Sequence, residues 1–104
     1  MIRIDLFYDG PHIVSCTISG HAGAATKGED LVCAGVSAIG VGTLNALAGE
    51  CQNSLTEVME PGYIRIDVTS INDVQQCILM TMLYQLQTMQ IAHPQYINIT
   101  KQEV

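Results

Sequence analysis

The sequence contains no tryptophan and only one phenylalanine, Phe7. Apolar residues still make up 48% of the 104 residues, so the core is expected to be aliphatic and rich in methionine. This length is typical of one domain, and we predict a single domain over residues 1–104. No run of about 18 apolar residues is present, which argues against a membrane-spanning helix.

Basic residues are also scarce, and this scarcity limits the possible partners. The formal net charge is -6, and the fixed cations are Arg3, Lys27, Arg65 and Lys101. Direct binding of nucleic acid needs a basic surface, so we expect none. An acidic surface suits a basic protein partner, although it equally serves to keep a protein in solution.

The cysteines lack the spacing of a metal site. Cys16, Cys33, Cys51 and Cys77 form no CxxC pair and have no clustered histidine partner. We therefore predict no metal site and no cofactor. The first residues alternate polar and apolar side chains, unlike a signal peptide, so we expect a cytoplasmic protein with reduced thiols.

Alternating and helical patterns divide the chain into seven elements. Residues 2–8 and 12–19 alternate as a hairpin around Asp9-Gly10, with Val14, Cys16 and Ile18 predicted to face inward. Asp30 is the predicted N-cap of a helix that begins near Leu31 and ends near Gly49. Further strands follow at 54–59, 63–69 and 96–100.

A second helix over 73–92, capped by Asn72 or Ser70, separates the last two strands. The resulting order, β-β-α-β-β-α-β, predicts an α+β fold. Its simplest form is a two-layer sandwich in which both helices cover one face of an antiparallel-rich sheet. One sheet face or edge then stays uncovered, and covering it would make a homodimer.

The first helix carries a stripe of small residues, which needs a close neighbour. We expect the sheet or the second helix to be that neighbour, with a dimer mate as the less favoured option. The stripe recurs at steps of four and three and comprises Gly35, Ile39, Gly42, Ala46 and Gly49.

Residues 20–37 carry the chemistry. A thiol at Cys33 would lie in the first turn of the predicted helix, where the helix dipole favours the thiolate. An imidazole at His21 can take the thiol proton and return it to a leaving group. From spacing alone, a structural histidine is an equally good interpretation. The intervening loop, residues 22–29, includes Ala22, Gly23 and Gly28, has little to pack, and is expected to admit a peptide and close over it.

Two further polar residues follow the same helix face. Asp30 caps the helix, orients His21, or does both, and the sequence leaves the choice open. Ser37 hydrogen-bonds the substrate or the thiolate, or it is a small packing residue bonded to a carbonyl one turn earlier.

The stretch resembles the signature of the ribosomal-processing cysteine proteases, through Gly20-His21-Ala22, Gly28 and Asp30-Leu31-Val32-Cys33-Ala34-Gly35-Val36-Ser37. The likeness extends over essentially the whole chain. It implies that His21 and Cys33 are the catalytic pair of an endopeptidase. The implied substrate is a large-subunit ribosomal protein, whose short apolar N-terminal extension is removed after an aromatic residue.

Two other functions compete with this one. A non-enzymatic binding protein that assists ribosome assembly would fit the acidic charge, but it has no need of the His21 and Cys33 pair. A redox-sensing thiol at Cys33 is the third hypothesis. No resolving cysteine stands near Cys33 in the sequence, which weighs against redox sensing.

Overall fold

The computed structural model describes residues 1–20 and 27–104, with the side chains of residues 27–30 left out. Within these residues, five strands and two long helices follow one another in the predicted order, with a short 3-10 helix at Gln52–Ser54. The elements are β1 (Ile2–Asp9), β2 (His12–Ser19), α1 (Lys27–Cys51), β3 (Leu55–Glu60), β4 (Tyr63–Val68), α2 (Asp73–Ala92) and β5 (Ile97–Glu103).

The strands form one sheet in the order β3-β4-β2-β1-β5. Every neighbouring pair is antiparallel except β1 and β5, which run parallel. The inward residues of the sheet and the apolar residues of both helices form a single buried cluster. The predicted α+β sandwich with an antiparallel-rich sheet is therefore confirmed.

The first hairpin departs from strict alternation. The pairing of β1 with β2 shifts between Phe7 and Tyr8, so that Ser15 lies opposite Phe7 and Ile13 lies opposite Tyr8. Val14 is the extra residue of this bulge, and Ile13 is the fully buried one. The prediction that Val14 faces the core is wrong, because a bulge shifts every residue beyond it to the opposite face.

Helix α1 begins at Lys27, four residues before the predicted start at Leu31. Asp30 therefore lies inside the first turn, and its predicted role as N-cap is wrong. The stripe of small residues has the expected neighbour only in part. A Cβ at Gly35 would meet the Met89 side chain of α2, whereas Gly42 and Gly49 have open space. Gly40 is the glycine of α1 that lies against the sheet, because a Cβ there would meet the Ile64 side chain.

The segment Leu31–Ser54 is long and apolar enough to cross a membrane by length and composition, with a mean hydropathy of 1.8. The core helix of a soluble protein can pass the same test. Here Val36, Leu44 and Leu47 of this segment are buried in the core shared with the sheet. The expectation of no membrane span stays a prediction.

Helix α2 is capped as its sequence predicts. The Asn72 side chain accepts a hydrogen bond from the Gln75 backbone N–H at 2.8 Å. The Gln75 amide is buried and donates to the backbone and hydroxyl oxygens of Ser54. This places the start of α2 against the turn before β3.

Because the Cys16 thiol is buried, the stability of the fold should fall as the pH rises through the alkaline range. Burial raises its pKa to about 12, with a smaller contribution from the Asp5 charge. A folded-state pKa above the ordinary thiol value of about 8.5 gives stability that is complete below pH 8.5 and is lost as the pH rises toward 12.

We expect the free energy of unfolding to fall by up to about 1.4 kcal/mol per pH unit through this thiol. Cys16→Ala should lower stability by about 1–2 kcal/mol at pH 7 through lost core volume. It should also flatten the decline between pH 8.5 and 10.5. Urea unfolding across this range checks both effects, and a parallel decline in wild type and Cys16→Ala would contradict the assignment.

Candidate active site

A cavity of about 170 Å³ lies where the end of β2 and the turn between β3 and β4 approach helix α1. Cys33 and Ser37 line it from the helix, and Gly20 lines it from the sheet. The remaining described lining residues are mostly apolar: Ile2, Ile18, Val36, Val41, Met59, Glu60, Gly62, Tyr63 and Ile64. A thiol on the wall of a mainly apolar cavity is suited to act on a peptide that places a side chain there.

Cys33 is held by the helix and by the core together. Its side chain is half-buried and packs against the core cluster, and it is a free cysteine. Ser37 follows one turn later, is exposed, and shares the cavity with Cys33, as the spacing of four residues predicts.

The longer helix changes the electrostatic argument for Cys33. With Lys27 as the first residue of α1, Cys33 lies in the second turn. The effect of the helix dipole falls off within the first turn, so the predicted first-turn position is wrong and its support for the thiolate is lost. The helix N–H groups without an intrahelical partner belong to residues 27–30, because only the first four lack one.

Gly20 fixes the sheet side of the cavity. Its φ of 93° lies in the region that favours glycine. Its N–H donates to the Gly62 carbonyl at 3.1 Å, which joins the end of β2 to the turn between β3 and β4. A Cβ at this position would collide with the backbone carbonyl oxygen of Met1. Three separated segments therefore meet beside Cys33.

Several predicted site residues lie outside the described residues. They are His21, Ala22 and Gly23, so the predicted pairing of His21 with Cys33 stays a prediction. Gly28 belongs to the backbone of α1, so the predicted loop 22–29 is wrong over 27–29. Among residues 1–20 and 31–104, no group of three or more His, Cys, Asp or Glu is placed to hold a metal ion.

The sequence interpretation missed the residues across the cavity from Cys33. Met59 is the next-to-last residue of β3 and Tyr63 begins β4, on either side of the turn at Pro61-Gly62. Only strand pairing brings this turn to Gly20, and no local pattern encodes it. Val41 could have been found, because it follows Cys33 and Ser37 at a further step of four on the same helix face.

Comparison with known proteins gives a consistent result. The family described as "Cysteine protease Prp" matches residues 1–98. The ribosomal processing cysteine protease Prp of Staphylococcus aureus, from strains Mu50 and NCTC 8325, is 33% identical over 103 residues. Each match covers 95% of this chain and 97% of the relative.

Solved structures agree with the fold. A crystal structure of S. aureus Prp with a covalently linked product peptide matches with a TM-score of 0.85 and 32% identity. That match covers 97% of this chain and 99% of the other. SMU.848 from Streptococcus mutans matches with a TM-score of 0.86 and 23% identity, over 100% of this chain and 96% of the other. At this identity the match shows the shared fold alone. With a thiol on the wall of its cavity and this family match over nearly its whole length, the chain belongs to the Prp family of cysteine proteases, the enzymes of ribosomal processing.

Proposed function

We propose that this enzyme is a cytoplasmic endopeptidase that removes the N-terminal extension of a large-subunit ribosomal protein during ribosome maturation. The observation that carries the proposal is the half-buried Cys33 thiol on the wall of a mainly apolar cavity. The S. aureus relative is a ribosomal processing protease, and its crystal structures hold a substrate peptide and a product peptide. In this proposal, such a peptide approaches the Cys33 thiol through this cavity.

Cys33 acts as the nucleophile and His21 as its base. His21 is bonded directly to Gly20, which lines the same cavity. The imidazole takes the Cys33 thiol proton as the sulfur bonds to the scissile carbonyl carbon, and it then gives that proton to the departing amine. The shortened ribosomal protein leaves as this amine when the C–N bond breaks, and the N-terminal extension stays on the sulfur as a thioester. Water then attacks the thioester carbonyl carbon and gives a proton to the imidazole, the C–S bond breaks, and the extension leaves as its carboxylic acid. The imidazole returns the proton to the sulfur, which restores the thiol.

Activation of the thiol depends chiefly on His21, because Cys33 is beyond the first turn of α1. Cys16 is less suited than Cys33 to act as the nucleophile. Cys16 is buried, and its raised pKa of about 12 keeps it neutral. Ser37 lines the same helix wall of the cavity as Cys33, and its proposed role is a hydrogen bond to the substrate or to the thiolate. The proposed role of Asp30 is to orient His21.

A homodimer is part of the proposal. The sheet face away from the helices is polar, with hydrogen bonds from Thr17 and Thr100 to Asp5 and from Ser15 to Asp67. We therefore expect the dimer to form through another surface of the molecule and not through this polar face. Sedimentation measurements would give the oligomeric state.

Incubation with the host's isolated large-subunit ribosomal proteins, followed by intact-mass analysis, tests the activity. We expect one protein to lose an N-terminal peptide. A stable complex without any shortened product would instead support a non-enzymatic assembly factor.

His21→Ala should reduce this cleavage by about 10²–10⁴-fold, the usual contribution of a general base. His12→Ala is the matched control, because His12 begins β2, at the opposite end of that strand from Gly20. Equal activity of His21→Ala and wild type would remove His21 from the mechanism.

A further inference from the structure

The two long helices carry no charged residue along most of their length. The uncharged stretch of α1 is residues 31–49, and that of α2 is residues 74–92. All 4 basic and all 10 acidic residues of the chain lie outside these two stretches. A helix on the surface of a soluble domain usually carries charged side chains on the face turned away from the core. The outer helix surface, which is the exposed side of residues 31–49 and 74–92, lacks such side chains altogether.

An open groove of about 490 Å³ lies between the two helices on this surface. The Thr43 hydroxyl on its wall donates a hydrogen bond to the Ile39 carbonyl at 2.7 Å. The Thr81 hydroxyl donates to the Cys77 carbonyl at 2.8 Å. Both hydroxyl protons are thus used within their own helices, and the groove offers mainly apolar surface. Its exposed lining residues are Ala38 and Gly42 of α1 and Cys77, Thr81 and Gln85 of α2.

Large apolar side chains are exposed on the same two helices. Tyr84 is 63% exposed and Ile91 is 82% exposed, although both belong to the uncharged stretch of α2. Leu31 of α1 is 67% exposed. Single exposed apolar residues are common, but a groove, exposed apolar side chains and an absence of charge on one surface together are typical of a surface that another molecule covers.

The charges on the rest of the molecule indicate which molecule that is. Edge strand β3 carries exposed Glu57 and Glu60, and edge strand β5 ends at exposed Glu103. The outer sheet face carries the ion pair of Arg65 with Asp67. A basic partner would be attracted to the acidic surfaces and not to the outer helix surface. Two copies of a chain with a net charge of -6 repel each other, and they approach with least repulsion where neither is charged.

The outer helix surface is also large enough for a dimer interface. Each uncharged stretch is roughly 28 Å long at 1.5 Å per residue, and two neighbouring helices together are roughly 20 Å across. The projected area is therefore roughly 560 Å², and the accessible area of a ridged surface is larger than its projection. A standard interface buries about 800 Å² on each partner, which is comparable.

We propose that the outer helix surface is the interface of a two-fold homodimer, in which α1 and α2 of one copy pack against α1 and α2 of the other. This inference rests on the homodimer of the proposed function and names the surface that forms it. In a two-fold dimer the same surface meets itself, so an uncharged surface meets an uncharged surface. The interface adjoins the active site, because Ser37 and Val41 line the cavity of Cys33, and the residues that follow them, Ala38 and Gly42, line the groove.

Gln85→Glu tests the interface by adding a charge with almost no change in size. Gln85 is exposed and lines the groove, and glutamate is as good a helix former as glutamine, so the monomer should keep its fold. In the dimer, each new carboxylate would be buried among uncharged side chains. We expect the dissociation constant of the dimer to rise on the order of 100-fold. Sedimentation velocity over a series of protein concentrations gives this constant. Ala38→Glu repeats the test on α1, with the same expected result.

Gln102→Glu is the matched control, because it makes the same change at an exposed position of edge strand β5. It should alter the dissociation constant by no more than about twofold. Val58→Glu adds the same charge at the other edge of the sheet, on β3, and should be equally harmless. Thermal unfolding of each variant reports on the fold.

Three results would overturn the inference. They are a wild type that stays monomeric at the highest concentration measured, equal dissociation constants for wild type and Gln85→Glu, and equal weakening by Gln85→Glu and either edge variant. The first would also contradict the homodimer of the proposed function, whereas the other two would retain the dimer and place its interface elsewhere. Absence of ribosomal-protein cleavage would contradict only the proposed activity, because sedimentation does not depend on it.

Discussion

Cys33→Ala should abolish cleavage of the ribosomal protein, with a loss on the order of 10⁶-fold in kcat, as when other proteases lose their nucleophile. No other described thiol shares the cavity with Ser37 and Gly20. The fold should be retained, because the change removes one sulfur atom from a half-buried side chain and costs about 1 kcal/mol or less. Cys33→Ser should also be inactive, since a hydroxyl is a far weaker nucleophile than a thiolate.

Cys77→Ala is the matched control for this experiment. Cys77 is the exposed thiol of α2, away from the cavity, and its loss should leave cleavage unchanged. Mass analysis of the substrate gives the activity, and thermal unfolding reports on the fold. Undiminished cleavage by Cys33→Ala, or equal losses in Cys33→Ala and Cys77→Ala, would remove Cys33 from the role of nucleophile.

The fold was largely predictable, because most elements carry a local pattern. Alternation identified β1 and β4, and Asn72, one of the two residues predicted as the cap of α2, is its N-cap. The start of α1 was not predictable in the same way. Lys27-Gly28-Glu29 has no apolar periodicity, and glycine is a poor helix former, so Asp30 looked like the natural cap.

The bulge shows a second limit of the sequence. Ile13 and Val14 are both apolar, so either could have been assigned to the core. Strict alternation favoured Val14, and the pairing with β1 favours Ile13. Register depends on partners that are distant in sequence, which a local pattern cannot specify.

The helix side of the active site was predictable, because it depends on a local pattern. Cys33 and Ser37 are four residues apart, and helical geometry alone places them together. The sheet side depends on the hydrogen bond between Gly20 and Gly62, which joins segments more than 40 residues apart. Met59 and Tyr63 reach the cavity through the pairing of β2 with β4 and of β4 with β3, which is equally long-range.

Gly20→Ala should be strongly destabilising. The residue has a φ of 93°, a conformation that costs a residue with a Cβ about 1–3 kcal/mol. The new Cβ would also collide with the Met1 carbonyl oxygen, which belongs to the backbone and cannot rotate away. That carbonyl is held in place because the next residue, Ile2, donates its N–H to the Tyr96 carbonyl at 2.8 Å. We expect a loss of about 3–5 kcal/mol, a large part of the 5–15 kcal/mol typical of small domains.

Gly10→Ala separates the two causes. Gly10 also has a positive φ, 59°, but a Cβ there would have no neighbour within 4 Å. It should cost only about 1 kcal/mol, from the backbone conformation alone. Urea unfolding of both variants gives the two losses on one scale, provided the m-values agree. Because Gly20 also lines the cavity, Gly20→Ala should reduce cleavage under conditions where it is still folded, and Gly10→Ala should not. Equal destabilisation by the two substitutions would show that the chain around Met1 moves aside. The close approach of Gly20 to the Met1 carbonyl would then not determine the sheet wall of the active site.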